Sequence, residues 1–179
     1  MAALSPKQIA AAEEFADATL DELEAADGIH PETAVAAAAG MAGSFLLRSF
    51  GFELGHLAPG TAVLSDEANE HGPRLLQILG GVLAHGGVEL DREILSRGPD
   101  PDRQPRGDFL AGQTALEAAF FAIAARHRLS LREAAEAAAA AAGFLIQQFA
   151  EELDPSLAFG IAVVGFIEGA KTAPGPAAH

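Results

Sequence analysis

The chain has 179 residues, half of them hydrophobic, and a formal net charge of −14. With 11 Lys and Arg against 25 Asp and Glu, it is a poor match for nucleic acid or for an anionic membrane surface, both of which are held by basic side chains. It has no cysteine, which removes disulfides, thiolate metal sites and cysteine nucleophiles from consideration and fits a cytoplasmic setting.

The length suits one all-α domain, residues 1–179. Alanine supplies much of the hydrophobic half, so bulk in the core must come from the 11 Phe and from Leu, Ile and Val. The N-terminus turns acidic too soon for a signal peptide, and no window carries the ~20 apolar residues of a membrane span.

Ser5-Pro6-Lys7-Gln8 is a helix start, with a serine cap, proline at the first helical position and glutamine placed to close a capping box. Ile9, Ala12, Ala16, Leu20 and Leu23 follow at helical spacing as an apolar stripe, ending near Asp27-Gly28. Pro31 to Phe50 is different. Its polar positions past the first turn are Ser44, Arg48 and Ser49, so a helix here has no side for water and must be central. Gly40 and Gly43 inside it each cost ~1 kcal/mol against alanine, which calls for a close-packing partner. Gly51 and Gly55 weaken this helix towards Leu57, and Pro59-Gly60 ends it.

Thr61–Leu64 reads as a short extended connector, and Gly72-Pro73 as an interruption before a firm helix from Pro73 to Ala84. Asp91 caps a short helix through Leu95. Arg97–Asp108, with three prolines and two glycines, is a long loop of the kind that forms lids or crossovers. Phe109–Arg126 is a helix with Leu116, Phe120 and Ile123 inward. Ser130 and Glu133 form a capping box for a helix from Leu131 to about Glu152 that points Leu131, Ala135, Ala138, Ala142, Leu145 and Phe149 inward. Phe144 falls on its other, more polar face, beside Glu133, Ala137 and Ala140. Asp154-Pro155 opens a last helix, apolar on most sides through Phe166, and Thr172 onward reads as a loose tail.

The fold expected is therefore a single compact bundle of about six helices around the central helix 31–50. Thr33–Arg48 and Glu133–Gln148 share an alanine-rich pattern one hundred residues apart, which suggests two related halves, 1–96 and 109–172, joined by loop 97–108.

Candidate chemistry is sparse. Glu53-Leu54-Gly55-His56 would put a carboxylate and an imidazole on one helix face, and Glu67 and His71 make a second pair at i, i+4; together they are the candidate metal ligands. Arg48, with Ser44 on the same stripe, is the candidate grip for an anionic ligand, unless a carboxylate or the negative end of the helix occupies it. No Gly-x-Ser-x-Gly and no phosphate-cradling loop occurs. No cofactor is predicted beyond that metal option. Phe144, Phe159 and Phe166 are the candidate faces of a homodimer. The preferred reading is a homodimeric, non-enzymatic module for a protein partner or a small apolar ligand between helices. The alternative is an enzyme using the Glu/His pairs.

Overall fold

Side-chain caps set most of the helix starts. Ser5, Ser65, Asp91, Asp108, Ser130 and Asp154 each accept a hydrogen bond from a first-turn backbone amide, and a helix follows each of them. In the computed structural model, which describes residues 3–175, the helices are α1 (Pro6–Leu23), α2 (Pro31–Ser49), α3 (Asp66–His85), α4 (Arg92–Arg97), α5 (Phe109–Arg126), α6 (Leu131–Gln148) and α7 (Pro155–Lys171). The described residues contain no strand, only two isolated bridges. None of the helices is long and apolar enough to cross a membrane.

The bundle has two central helices. α2 is buried along nearly its whole length, as its sequence requires, with α7, α6 and α5 around it. The second is α6, which packs on α2, α1 and α3. Ala134, Ala135 and Ala137–Ala142 are all buried, so the face carrying Ala137, Ala140 and Phe144 is internal rather than polar. A run of buried methyls, each contributing ~0.8 kcal/mol, stabilises only if neighbours approach closely, and they do. Leu131, expected inward, is 37% exposed at the start of the helix.

Contacts between the two halves follow a reciprocal pattern. α2 packs on α7 while α6 packs on α3; α2 packs on α5 while α6 packs on α1; α1 meets α5 and α2 meets α6. Exchanging the halves leaves these pairings unchanged. Gly43 and Gly143 occupy equivalent crossings, the first against the backbone of α7 and the second against Val82 of α3. The α2–α7 crossing is the tighter one. A Cβ on Gly165 would lie 2.9 Å from the Ala36 carbonyl oxygen, one on Gly43 2.6 Å from the Ala170 nitrogen, and one on Gly169 would strike the Gly40 carbonyl.

Other expectations shift. The buried face of α1 is Gln8, Ala11, Ala12, Phe15, Ala16 and Thr19, so Ile9 is left 43% exposed while Phe15 stacks on Phe120 at 4.4 Å between centroids. Gln8 is buried because its amide donates to the Glu133 carbonyl at 3.2 Å and to Glu136 at 2.9 Å. α2 stops at Ser49 and Gly51 turns the chain with φ +74°, so the segment to Leu57 is not helical. α3 runs straight through Gly72-Pro73. Pro73 lies on its exposed side, where the carbonyl it frees can meet water, and Leu75, Ile78, Leu79 and Leu83 hold the helix down. Thr172 and Ala173 are no loose tail. Ala62 bridges to Thr172, the Ala173 amide donates to the Thr61 carbonyl at 2.8 Å, and Ala173 is buried; residues 176–179 lie outside the described region.

The crossing is directly testable. Gly169→Ala should destabilise by about 3 kcal/mol or more, because the obstacle is backbone and cannot turn aside. Gly80→Ala, in α3 with nothing within 4 Å of its Cβ position, should stabilise by about 0.5–1 kcal/mol. Urea unfolding of both variants measures the contrast.

Candidate functional site

A cleft of about 670 Å³ opens on the α7 side of the bundle. Its floor is the first turns of α2 (Thr33, Ala36, Ala37) and α5 (Phe109, Gly112), and one wall is α7 from Leu157 to Glu168. α4 supplies Ile94 and Leu95, α3 supplies Leu76, and residues 98–108 run across as a strap. The small residues of α2 shape the floor. Gly40 leaves room for the Phe109 ring, whose edge would be 3.1 Å from a Cβ there, and Ala37 meets Gly112. Most of the lining is apolar, which suits a ligand whose surface is mainly hydrocarbon.

The strap is fastened along its length. Arg103 Nε donates to Glu32 Oε1 at 2.6 Å, and its Nη2 donates to the Glu152 carbonyl at 2.6 Å. Glu32 is buried in the first turn of α2, where the positive helix end favours its charge, and it also meets His30 at 3.3 Å. The Arg106 amide donates to Thr33 Oγ1 at 2.8 Å, and the Arg106 guanidinium pairs with Asp27 at 3.0 Å. Asp100 Oδ1 accepts from the Asp102 amide at 2.9 Å and turns the chain. At the rim, Glu168 has its carboxyl pushed above the ordinary value by partial burial and then by the charge of Asp108, whose own side chain caps α5.

Arg48 and Ser44 lie elsewhere. Arg48 forms an ion pair with Glu117 of α5, its Nε reaches Ser44 Oγ at 3.4 Å, and its guanidinium stacks over Phe121 at 4.9 Å. Gln113 Nε2 donates to Glu117 Oε1 at 3.1 Å, while Gln113 Oε1 accepts the Gly175 amide at 2.9 Å. The Arg48 charge is thus neutralised inside the fold, and neither Arg48 nor Ser44 lines the cleft. This network joins α2, α5 and the C-terminal segment.

The metal candidates are scattered in setting. Glu53 and His56 sit on the loop after α2, so the helix face proposed for them does not form. Glu67 is in the first turn of α3. His71 Nδ1 faces Arg132 Nη1 at 3.1 Å, and its ring lies 5.8 Å from that of Phe50. Among the described residues no three His, Cys, Asp or Glu side chains gather as a metal site. The dimer candidates separate too. Phe166 is buried against α2, so it is no surface residue; Phe144 packs against the core; Phe159 lines the cleft.

The strap ties could not be read from local spacing. Arg103 has Asp100 and Asp102 beside it in sequence, yet its carboxylate is Glu32, on another helix. Comparison with family models finds no match, and comparison with curated proteins and with solved structures finds no significant similarity.

If Arg48 and Glu117 are a structural pair, Glu117→Gln should cost about 3 kcal/mol, because it leaves a mostly buried guanidinium without a counter-charge. The double change Arg48→Met, Glu117→Leu should cost much less. Chemical denaturation distinguishes the two. Glu168 gives a pH signature of opposite sign to an ion-paired carboxylate. Its folded-state value is raised, so ionisation penalises the fold at neutral pH and the penalty vanishes as pH falls below the ordinary 4.5. Glu168→Gln should therefore stabilise by less than about 1 kcal/mol at about pH 7, the side chain being largely exposed, and by nothing at about pH 4.

Proposed function

We propose that this chain is a non-enzymatic binding module that takes a small, largely apolar ligand in the cleft beneath the 98–108 strap. The observation that carries this reading is the cleft itself: about 670 Å³, walled by Leu157, Ile161 and Val164 and bounded by a long segment held in place by Arg103 and Arg106. That volume falls within the ~300–1,000 Å³ range of small-molecule sites. Loops of this length inside a compact bundle are usually functional, and this one is tied down where it meets the cleft.

Self-association is the second part of the reading. Ile167, 51% exposed on α7 and outside the cleft lining, favours a homodimer through that helix. Phe144 and Phe166 no longer support it. We further propose a reducing, cytoplasmic setting, which suits a chain without cysteine.

Native mass spectrometry, titrated with the uncharged apolar fluorophore N-phenyl-1-naphthylamine, reads both parts together. The expected spectrum shows a doubled chain mass with one saturable adduct per subunit. Gly160 lines the cleft with open space at its Cβ position, so Gly160→Leu should fill the cleft, preserve the helix and weaken the adduct at least about tenfold. Ile167→Asp should return the monomer mass. An adduct that is non-saturable or indifferent to Gly160→Leu overturns the ligand reading, and a monomer at micromolar concentration overturns the dimer.

A further inference from the structure

The charges around the cleft do not balance within it. Its two guanidiniums are engaged by carboxylates outside the lining, Arg103 by Glu32 and Arg106 by Asp27. The three acids that line it, Asp100, Asp108 and Glu168, have no ion pair among the described residues. Asp108 stands at the start of α5 and Glu168 near the end of α7, both line the cleft, and the Asp108 charge adds to burial in holding the Glu168 carboxyl above its ordinary value. Below them the wall is hydrocarbon, with Leu157, Ile161 and Val164 spaced along α7 so that a chain-like ligand would run parallel to the helix.

From this charge complementarity we infer that the ligand is a cationic amphiphile, a primary ammonium on an apolar body, with the ammonium at Asp108 and Glu168 and the body along α7. The inference rests on the cleft being the ligand site. An ammonium there relieves the repulsion between two carboxylates and gains hydrogen-bonding partners with three N–H donors. A carboxylate ligand would meet three acids without an ion pair, and both guanidiniums at the cleft already carry a carboxylate partner. A neutral ligand gains only the burial of its apolar surface.

Octylamine, octanol and octanoate share a body and differ in the head group, and at neutral pH the amine is protonated. Competition of each against bound N-phenyl-1-naphthylamine in the intact protein should rank octylamine first and octanoate last. The amine advantage over octanol should be roughly fivefold, the size appropriate to a partly exposed ion pair. Glu168→Gln should bring the ratio of octylamine to octanol affinity down towards one. Asp108→Asn should act the same way, since asparagine keeps the helix cap and removes only the charge. Octanoate binding as tightly as octylamine, or an amine preference that survives both variants, overturns the inference. Octanol binding with no amine advantage overturns it while leaving the cleft as a ligand site. If none of the three competes and the fluorophore itself does not bind, the cleft reading has failed, and this one with it.

Discussion

Everything in this fold depends on how closely α2 approaches α7. At Gly43, Gly165 and Gly169 the two helices touch backbone to backbone, closer than a methyl group allows. Such an approach sacrifices helix propensity at three positions, ~1 kcal/mol each. The return is dispersion between two main chains packed at solid density. It also fixes the axis of α7, and α7 is a wall of the cleft. Gly43 of α2 admits α7 and Gly40 admits the Phe109 ring, so the floor and the wall of the cleft have a common origin in one alanine- and glycine-rich helix.

The charged groups divide between two tasks. Arg48, Glu117 and Gln113 are spent internally, joining α2 to α5 and to the segment that ends at Gly175. Arg103 and Glu32 join the strap to the start of α2. No buried side-chain nitrogen or oxygen among the described residues lacks a hydrogen-bond partner, so the core holds no polar group in waiting. Within the described residues, Asp100, Asp108 and Glu168 at the cleft are among the acids that have no ion pair.

Local signals in the sequence were reliable wherever physics is local. The capping boxes at Ser5–Gln8 and Ser130–Glu133 form as read, α5 spans the residues expected, and α2 is buried as an all-apolar helix must be. The second central helix was hidden because alanine is a weak marker of burial: α6 carries enough Glu and Gln at its ends to look amphipathic, and its middle shows its inward faces only once neighbours are in place. Pro73 was misleading because a proline breaks a helix mainly where the lost hydrogen bond is buried, and here it is exposed. The cleft was the least legible part. The length of the loop announced a crossover, but Arg103–Glu32 and Arg106–Thr33 each join residues far apart in the chain, Asp108 and Glu168 line one cleft from different helices, and no spacing rule reaches them.

The reciprocal contacts have a consequence for cooperativity. α2 finds its main partners in α7 and α6, and α6 finds its own in α2, α1 and α3, so each central helix is enclosed largely by helices from across the strap. Neither half encloses a core of its own. Joining them in one chain turns what would be a bimolecular association into an intramolecular one, at an effective concentration set by the length and stiffness of the 98–108 segment. Prolines and the Arg103 and Arg106 ties stiffen that segment, so the strap that bounds the cleft is also the tether through which the two halves fold as one.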